Sequence, residues 1–283
     1  EIYTLSLHDA LPISNGYSIV QGHCAVRNGD SSWVSRLVAV EFEAIYAVSH
    51  PGRSRLHQFG IFGGSNGYWK IDLLRETRMH GFMLTEDIDS SIRVMMDGTR
   101  IASDPELVSH ELAPTSLNAL WNQRMRWAQG WHQVSLKHLV RSLVSKHLSL
   151  RQKFGALWLL GWREAYPWIS MQMFPIILFW IQKYNGVEKI NWLIPIFVMT
   201  TLFTLSVGPG QVFFSYKLSL PEIKQHKGWF LFYFIVGSLF YTEYKNSIAR
   251  VAQVKEFFKE RHWKVTPRSK SHTPRGEGQF IGR

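Results

Sequence analysis

The composition of the chain changes near residue 153, and this change limits its fold more than any other feature. Upstream, short apolar segments alternate with polar ones, whereas residues 165–181 and 190–207 are two almost uninterrupted apolar runs. A helix needs about 20 apolar residues to cross a bilayer core, and each run is close to that length. We therefore predict a folded domain followed by an α-helical transmembrane segment.

The distribution of charge favours a membrane location. The net charge is +11, and the excess lies mainly in residues 137–153 and after Lys245. Basic stretches beside apolar runs are typical of the cytosolic side of a membrane, so we expect a multi-pass membrane protein with a cytosolic N-terminal domain and no nucleic-acid partner. Residues 229–241 are shorter than a span, which favours a re-entrant or interfacial helix. Membrane helices are predicted within 154–245, and 246–283 is expected to be cytosolic and to end in a disordered tail.

Upstream of residue 153, strand patterns alternate with helix patterns, which predicts an α/β domain over 15–153. Apolar residues recur at helical spacing after Ser31 and Ser32, either of which can cap that helix, and Pro51-Gly52 is expected to end it. The other predicted elements are strands at 17–26, 58–62, 82–84 and 100–103, and helices over 68–75, from Thr85 to Gly98 and from 114 onwards.

The segment 1–14 does not fit the domain that follows it. It has no basic start of the kind that opens a signal peptide, and it looks like the translation of a sequencing adapter. We therefore expect this segment to be an artefact and the natural protein to be longer.

Two short strings indicate chemistry. The TED string at 85–87 places carboxylates in the first turn of a predicted helix, where the dipole favours the ionised form. The QRMRW string at 123–127 lies on the long helix, and Gln123, Arg126, Trp127 and Gly130 share one face of it. A base combined with a cation and an aromatic side chain suits a group transfer that expels an anionic leaving group.

With these two strings, the chain resembles membrane-embedded, inverting family-2 glycosyltransferases, which carry TED and QxxRW signatures. That group includes cellulose, hyaluronan and poly-N-acetylglucosamine synthases, and the resemblance covers about residues 17–270. It implies the C-terminal part of a GT-A, Rossmann-like catalytic domain. It also implies transfer of a hexose from a nucleotide diphosphate sugar to a glycan or lipid acceptor, with processive polymer synthesis favoured over a single addition.

The resemblance assigns roles to individual residues. Asp87 would be the general base, next to Thr85 and Glu86 of the same signature. On the QxxRW helix, Gln123 and Arg126 would contact the pyrophosphate, and Trp127 would stack on the acceptor sugar. Asn66 lies in a glycine-rich loop that relatives place beside the acceptor, and Trp263, Thr266 and Arg268 belong to a string that resembles the family's gating loop over the nucleotide.

The resemblance further implies a Mg or Mn ion, held by a DxD motif, and a UDP-sugar donor. No Asp-x-Asp string precedes Gln21, and the pair Asp87 and Asp89 belongs to the TED helix instead. We therefore expect the metal ligands and the donor half of the enzyme to be missing from this sequence, and this chain alone to be inactive.

Each motif also has a plainer explanation. Acidic residues are common in the first turn of any helix, and a helix with Arg and Trp can lie at a membrane surface. The basic stretch around Arg268 can contact lipid head groups. The alternatives to a polymer synthase are therefore a lipid glycosyltransferase that adds one sugar and a non-enzymatic, basic, membrane-anchored binding protein.

Overall fold

The computed structural model describes residues 16–186 and 210–260. Its sheet contains β1 (Ile19–Val26), β2 (Gly67–Trp69) and β3 (Ile101–Glu111), with β1 in the centre. The first of these pairs antiparallel with β2 and parallel with β3. All eight residues of β1 are buried, as expected for a central strand that other elements cover on both faces. The strand predicted at 17–26 is confirmed.

The strand β3 is longer than its sequence pattern predicts. We expected it to end at Ser103, but it continues to Glu111. Its register against β1 jumps between Gly22 and His23, which pair with Asp104 and Val108. Proline cannot donate a ladder hydrogen bond and is tolerated at such irregularities, so Pro105 interrupts the pairing without ending the strand.

Helices surround the sheet and continue beyond it. The first, α1 (Trp33–Glu43), begins at Ser32, whose hydroxyl accepts from the backbone of Ser35 in a capping box. The remaining helices are α2 (His50–His57), α3 (Ile71–Thr77), α4 (Glu86–Met96), α5 (Leu117–Val144), α6 (Leu150–Ala156), α7 (Arg163–Lys183), α8 (Pro221–Lys224), α9 (Lys227–Val236) and α10 (Thr242–Phe257), and residues 210–218 are also helical. Short π-helical stretches join α1 to α2, α6 to α7 and α9 to α10.

Four predictions of local structure are wrong. The segment 68–75 is not helical throughout, because Tyr68 and Trp69 belong to β2 and α3 begins only at Ile71. Pro51 does not end the helix, because the chain continues from α1 through a π-helical stretch into α2, and Pro51 is the second residue of α2. The segment 58–62 is not a strand, and 82–84 forms turns. Phe82 is 68% exposed, while its neighbour Met83 is buried against α4 and α5. The apolar side chain of Met83 therefore packs between helices and does not indicate a buried strand.

The helices after residue 220 pack against the α/β domain. Phe230 of α9 is buried with Val40 of α1, and Ile248 and Ala252 of α10 are buried with Met125 of α5. The segment 229–241, predicted as re-entrant or interfacial, is thus helical and in contact with the α/β domain.

The predicted membrane spans receive no support. Within 16–186 and 210–260, no helix combines the length and the apolar character needed to cross a bilayer. The helix α7 does cover the predicted span 165–181, but Tyr166, Pro167 and Trp168 lower the hydropathy of its first half. The other predicted span, 190–207, lies outside the described residues.

Candidate active site

Asp87 lies in the first turn of α4, directly after Glu86. Burial raises the pKa of the Asp87 carboxyl to about 6 against the lowering effect of the Ile88 backbone N–H, while the Glu86 charge raises it further and Arg126 lowers it. The sequence suggested that the helix start would favour the ionised form, but desolvation outweighs that effect. The result is a carboxylate that is ionised at neutral pH and more basic than an exposed aspartate.

The glycine-rich loop at 63–67 covers this carboxylate. Gly64 has φ +89°, and a Cβ atom placed there would lie 2.7 Å from Oδ2 of Asp87. The loop is fixed by Gln21 of β1, whose Oε1 accepts from the Gly63 N–H at 2.7 Å and whose Nε2 donates to the Ser65 carbonyl at 3.0 Å. The close approach of backbone to carboxylate therefore depends on glycine at 64 and on a buried amide from the central strand.

The helix α5 contacts the TED string directly. A Cβ atom at Gly130 would lie 2.5–2.8 Å from the side chain and backbone nitrogen of Thr85, so only glycine permits this approach. Arg126 Nη1 donates to the Leu84 carbonyl at 3.1 Å, and the Leu84 N–H donates to Gln133 Oε1 at 3.2 Å. The helix that carries the QRMRW string is thus joined by two hydrogen bonds to the residue that precedes TED.

Each of the two signature strings has one polar side-chain atom that is buried without a hydrogen-bond partner among the described residues, namely Thr85 Oγ1 and Gln123 Oε1. Thr85 precedes α4 as predicted, yet its hydroxyl makes no capping bond. Buried acceptors and donors are normally paired. These two atoms are exceptions to that rule within the described part of the chain.

Trp127 is half-buried and packs against the apolar cluster that contains Phe42 and Tyr46. The Trp127 ring also contacts Arg124, whose Cζ atom lies 4.3 Å from the ring centroid. Tyr46 links this cluster to the loop that covers the base, because a Cβ atom placed at Gly63 would lie 3.1 Å from the Tyr46 hydroxyl oxygen. The helix α5 therefore brings Arg126 within electrostatic range of Asp87 and places Trp127 beside the same cluster.

The side chain of Asn66 is hydrogen-bonded to two strands of the sheet. Its amide nitrogen donates to the backbone carbonyls of His23 and Leu107, at 3.0 and 2.7 Å. These bonds hold the irregular pairing between β1 and β3. Its assignment to the acceptor site stays a prediction, as do those of Trp263, Thr266 and Arg268, which lie outside the described residues.

The described residues do not provide a metal site. Across 16–186 and 210–260, no three His, Cys, Asp or Glu side chains are arranged to hold a metal ion. Asp89, which completes an apparent DxD string with Asp87, is fully buried. Its oxygens are bound by His80, Arg93, Lys137 and His138 at 2.7–2.9 Å.

Comparison with known protein families identifies a glycosyltransferase domain of family 2. Residues 3–242 match the model of the family described as "Glycosyl transferase family group 2", and because the match covers most of the chain, the chain belongs to that family. The match begins inside the segment 1–14 that we set aside, so the expectation of an artefact there gains no support.

Two of the relatives that this chain resembles are synthases of the same polysaccharide. The poly-beta-1,6-N-acetyl-D-glucosamine synthase of Staphylococcus aureus (strain COL) is 37% identical over 84 residues, which is 30% of this chain and 18% of the relative. The synthase of the same name from Staphylococcus epidermidis is 28% identical over 142 residues, which is 46% of this chain and 32% of the relative. The matched part of the chain therefore spans less than a third of either relative.

Sequence reasoning missed several residues that shape this site. Gln21, Tyr46 and Gln133 carry no motif, and their roles depend on contacts between distant parts of the chain. The sequence did draw attention to Gly64 and Gly130, since Gly64 lies in the glycine-rich loop and Gly130 shares a helix face with Arg126. The spacing alone gave no indication that each glycine faces one of the TED residues.

Proposed function

We propose that this chain takes part in inverting glycosyl transfer, with Asp87 as the general base. The acceptor hydroxyl attacks the anomeric carbon of a nucleotide diphosphate sugar, its proton passes to a carboxylate oxygen of Asp87, and the bond to the diphosphate oxygen breaks. The observation that carries the proposal is the carboxylate with a pKa of about 6, enclosed by Gly64 and within electrostatic range of Arg126. A base poised near the working pH is effective in such a step.

The other roles follow the family resemblance. Arg126 and Gln123 would bind the diphosphate, and Trp127 would stack on the acceptor sugar. The names of the relatives favour N-acetylglucosamine as the transferred sugar and a β-1,6-linked glycan as the acceptor. We further propose a UDP-sugar donor, processive synthesis at a membrane and a cytosolic catalytic domain, which rest on the sequence pattern and the resemblance.

A Mg or Mn ion is expected because the family commonly uses one. The Asp89 carboxylate is bound by four basic side chains, so it is not free to bind a metal ion. In the described part of the chain, no set of side chains fits a divalent ion. We therefore assign no residue of this chain to the metal and derive no step from it.

Replacement of Asp87 tests the proposal. In the full-length protein, Asp87→Asn is expected to lower the rate of sugar transfer from UDP-N-acetylglucosamine by about 10²-fold or more, because the hydroxyl proton loses its acceptor. Asp72→Asn is the matched control, since the Asp72 side chain is 94% exposed. Transfer by Asp87→Asn at the rate of the Asp72→Asn control would remove Asp87 from the role of base.

A further inference from the structure

A buried ion cluster lies beneath the QRMRW string. Glu41 of α1 is 6% exposed, and both of its carboxylate oxygens are bound. Oε2 accepts from Arg124 Nη2 at 2.6 Å and from the Tyr241 hydroxyl at 2.7 Å, and Oε1 accepts from Lys245 Nζ at 2.9 Å. The cluster therefore joins α1, α5 and the beginning of α10 at one carboxylate.

The charges of this cluster keep its geometry fixed at neutral pH. Burial alone would raise the pKa of Glu41, but the charges of Arg124 and Lys245 lower it to about 2. The carboxylate is therefore ionised throughout the physiological range, and the guanidinium stays bound to it. Buried ion pairs are often no more stabilising than apolar residues of similar size, so stability alone does not account for this arrangement.

The Arg124 guanidinium has a second neighbour. While Nη2 is bound to Glu41, Cζ lies 4.3 Å from the centroid of the Trp127 ring. A guanidinium over an indole face is attracted by the ring quadrupole, and here it cannot move away without breaking a short buried bond. The Trp127 ring therefore rests on a cation whose position is set by the fold.

We propose that Arg124 is a positioning residue that fixes the Trp127 indole in the orientation that receives the acceptor sugar. The inference rests on the proposed function, because it requires Trp127 to contact the acceptor. Arg124 acts only through Trp127, and Glu41 acts by holding Arg124. The role belongs to a position that the QxxRW signature leaves unspecified.

The test compares the two substrates in the full-length protein. Arg124→Lys keeps a cation for Glu41 but removes the planar group beneath the indole. We expect it to raise the KM for a β-1,6-linked N-acetylglucosamine oligosaccharide by about fivefold, with the KM for UDP-N-acetylglucosamine unchanged. Arg75→Lys is the matched control, since the Arg75 side chain is 74% exposed, and it should change neither KM.

Two further variants separate the outcomes. The triple variant Glu41→Gln, Arg124→Met and Lys245→Met leaves no charged member of the cluster, so it remains testable if Arg124→Lys fails to fold, and it should raise the acceptor KM to a similar extent. Trp127→Phe reports the contribution of the indole itself. If Trp127→Phe raises the acceptor KM but both Arg124 variants leave it unchanged, the positioning role is wrong and the proposed function stands. If Trp127→Phe also has no effect, the stacking role fails together with the inference.

Discussion

At Asp87, burial and the start of a helix act in opposite directions on one carboxyl group. The N–H groups at the start of α4 favour the anion, whereas loss of water beneath the 63–67 loop favours the neutral acid, and burial prevails. A carboxylate with ordinary acidity would be a weaker base. The enclosure by Gly64 thus gives the site its basicity, and it does so at some expense of stability.

This balance predicts the pH dependence of transfer. The acid limb of kcat/KM should fall tenfold per pH unit below about pH 6, because protonation of Asp87 removes the base. The measurement is the initial rate of sugar transfer by the full-length protein between pH 4.5 and 8, at low concentrations of the acceptor. An acid limb near pH 4, the range of an exposed aspartate, would contradict the enclosure of Asp87.

The same shift predicts a gain of stability on replacement. The folded pKa of about 6 exceeds the ordinary value of 3.8, so the folded state binds more protons between these values and stability falls as the pH rises through that window. Asp87→Asn removes this penalty. Its Tm should equal or exceed that of the wild type at pH 7.5, with the gain disappearing below about pH 4. The exposed Asp72→Asn variant should show no such difference, and a lower Tm for Asp87→Asn at pH 7.5 would contradict the account.

At the scale of elements, the contact between α5 and the TED string determines the site. Glycine at 130 lets the helix approach Thr85, and Arg126 and Gln133 bind the backbone of Leu84 on either side of that contact. The base at Asp87 is therefore positioned by a helix more than thirty residues further along the chain.

A methyl group at this contact should separate the two elements. Gly130→Ala is expected to lower the free energy of unfolding by about 1–3 kcal/mol, because the added Cβ overlaps Thr85. Transfer activity should fall with it as the TED string moves. Gly228→Ala in α9 is the matched control, since nothing lies within 4 Å of that position and alanine suits a helix. Equal stability of the two variants, measured by chemical denaturation, would show that α5 and Thr85 are not in contact.

The pattern of the sequence predicts local elements better than the contacts between them. The strand β1, the cap at Ser32 and the long helix α5 follow from periodicity and capping residues. The turn at 82–84 was mistaken for a strand because burial of Met83 depends on α4 and α5. Helical spacing predicts that Arg126 and Gly130 share a face. The hydrogen bonds between Gln21 and the glycine-rich loop, in contrast, join residues more than forty positions apart.

At the scale of the whole molecule, the C-terminal helices and the α/β domain share a core. Ile248 is 1% exposed and packs with Ala252 and Met125, and the cluster at Glu41 adds polar bonds between the same parts of the chain. The described part of the protein should therefore unfold as one unit. Sequence composition suggested a division near residue 153, but helix packing across that boundary depends on side chains whose partners are far away in sequence.

Truncation of Ile248 tests this shared core. Ile248→Ala is expected to lower the free energy of unfolding by about 2–4 kcal/mol through the cavity that it leaves, and unfolding should remain a single transition. Val254→Ala on the same helix is the control, because Val254 is 44% exposed, and it should change stability by less than about 1 kcal/mol. Two separate transitions, with Ile248→Ala shifting only one of them, would contradict a common core.

The most direct test of the account is a structure of the full-length protein with UDP and a β-1,6-linked N-acetylglucosamine oligosaccharide bound. We predict that a carboxylate oxygen of Asp87 lies within about 3.2 Å of an acceptor hydroxyl, that the Arg126 guanidinium faces the diphosphate, and that the sugar rests on the Trp127 indole. An acceptor bound on a different face of the domain, with the Asp87 carboxylate remote from every one of its hydroxyl groups, would contradict the assignment of the site.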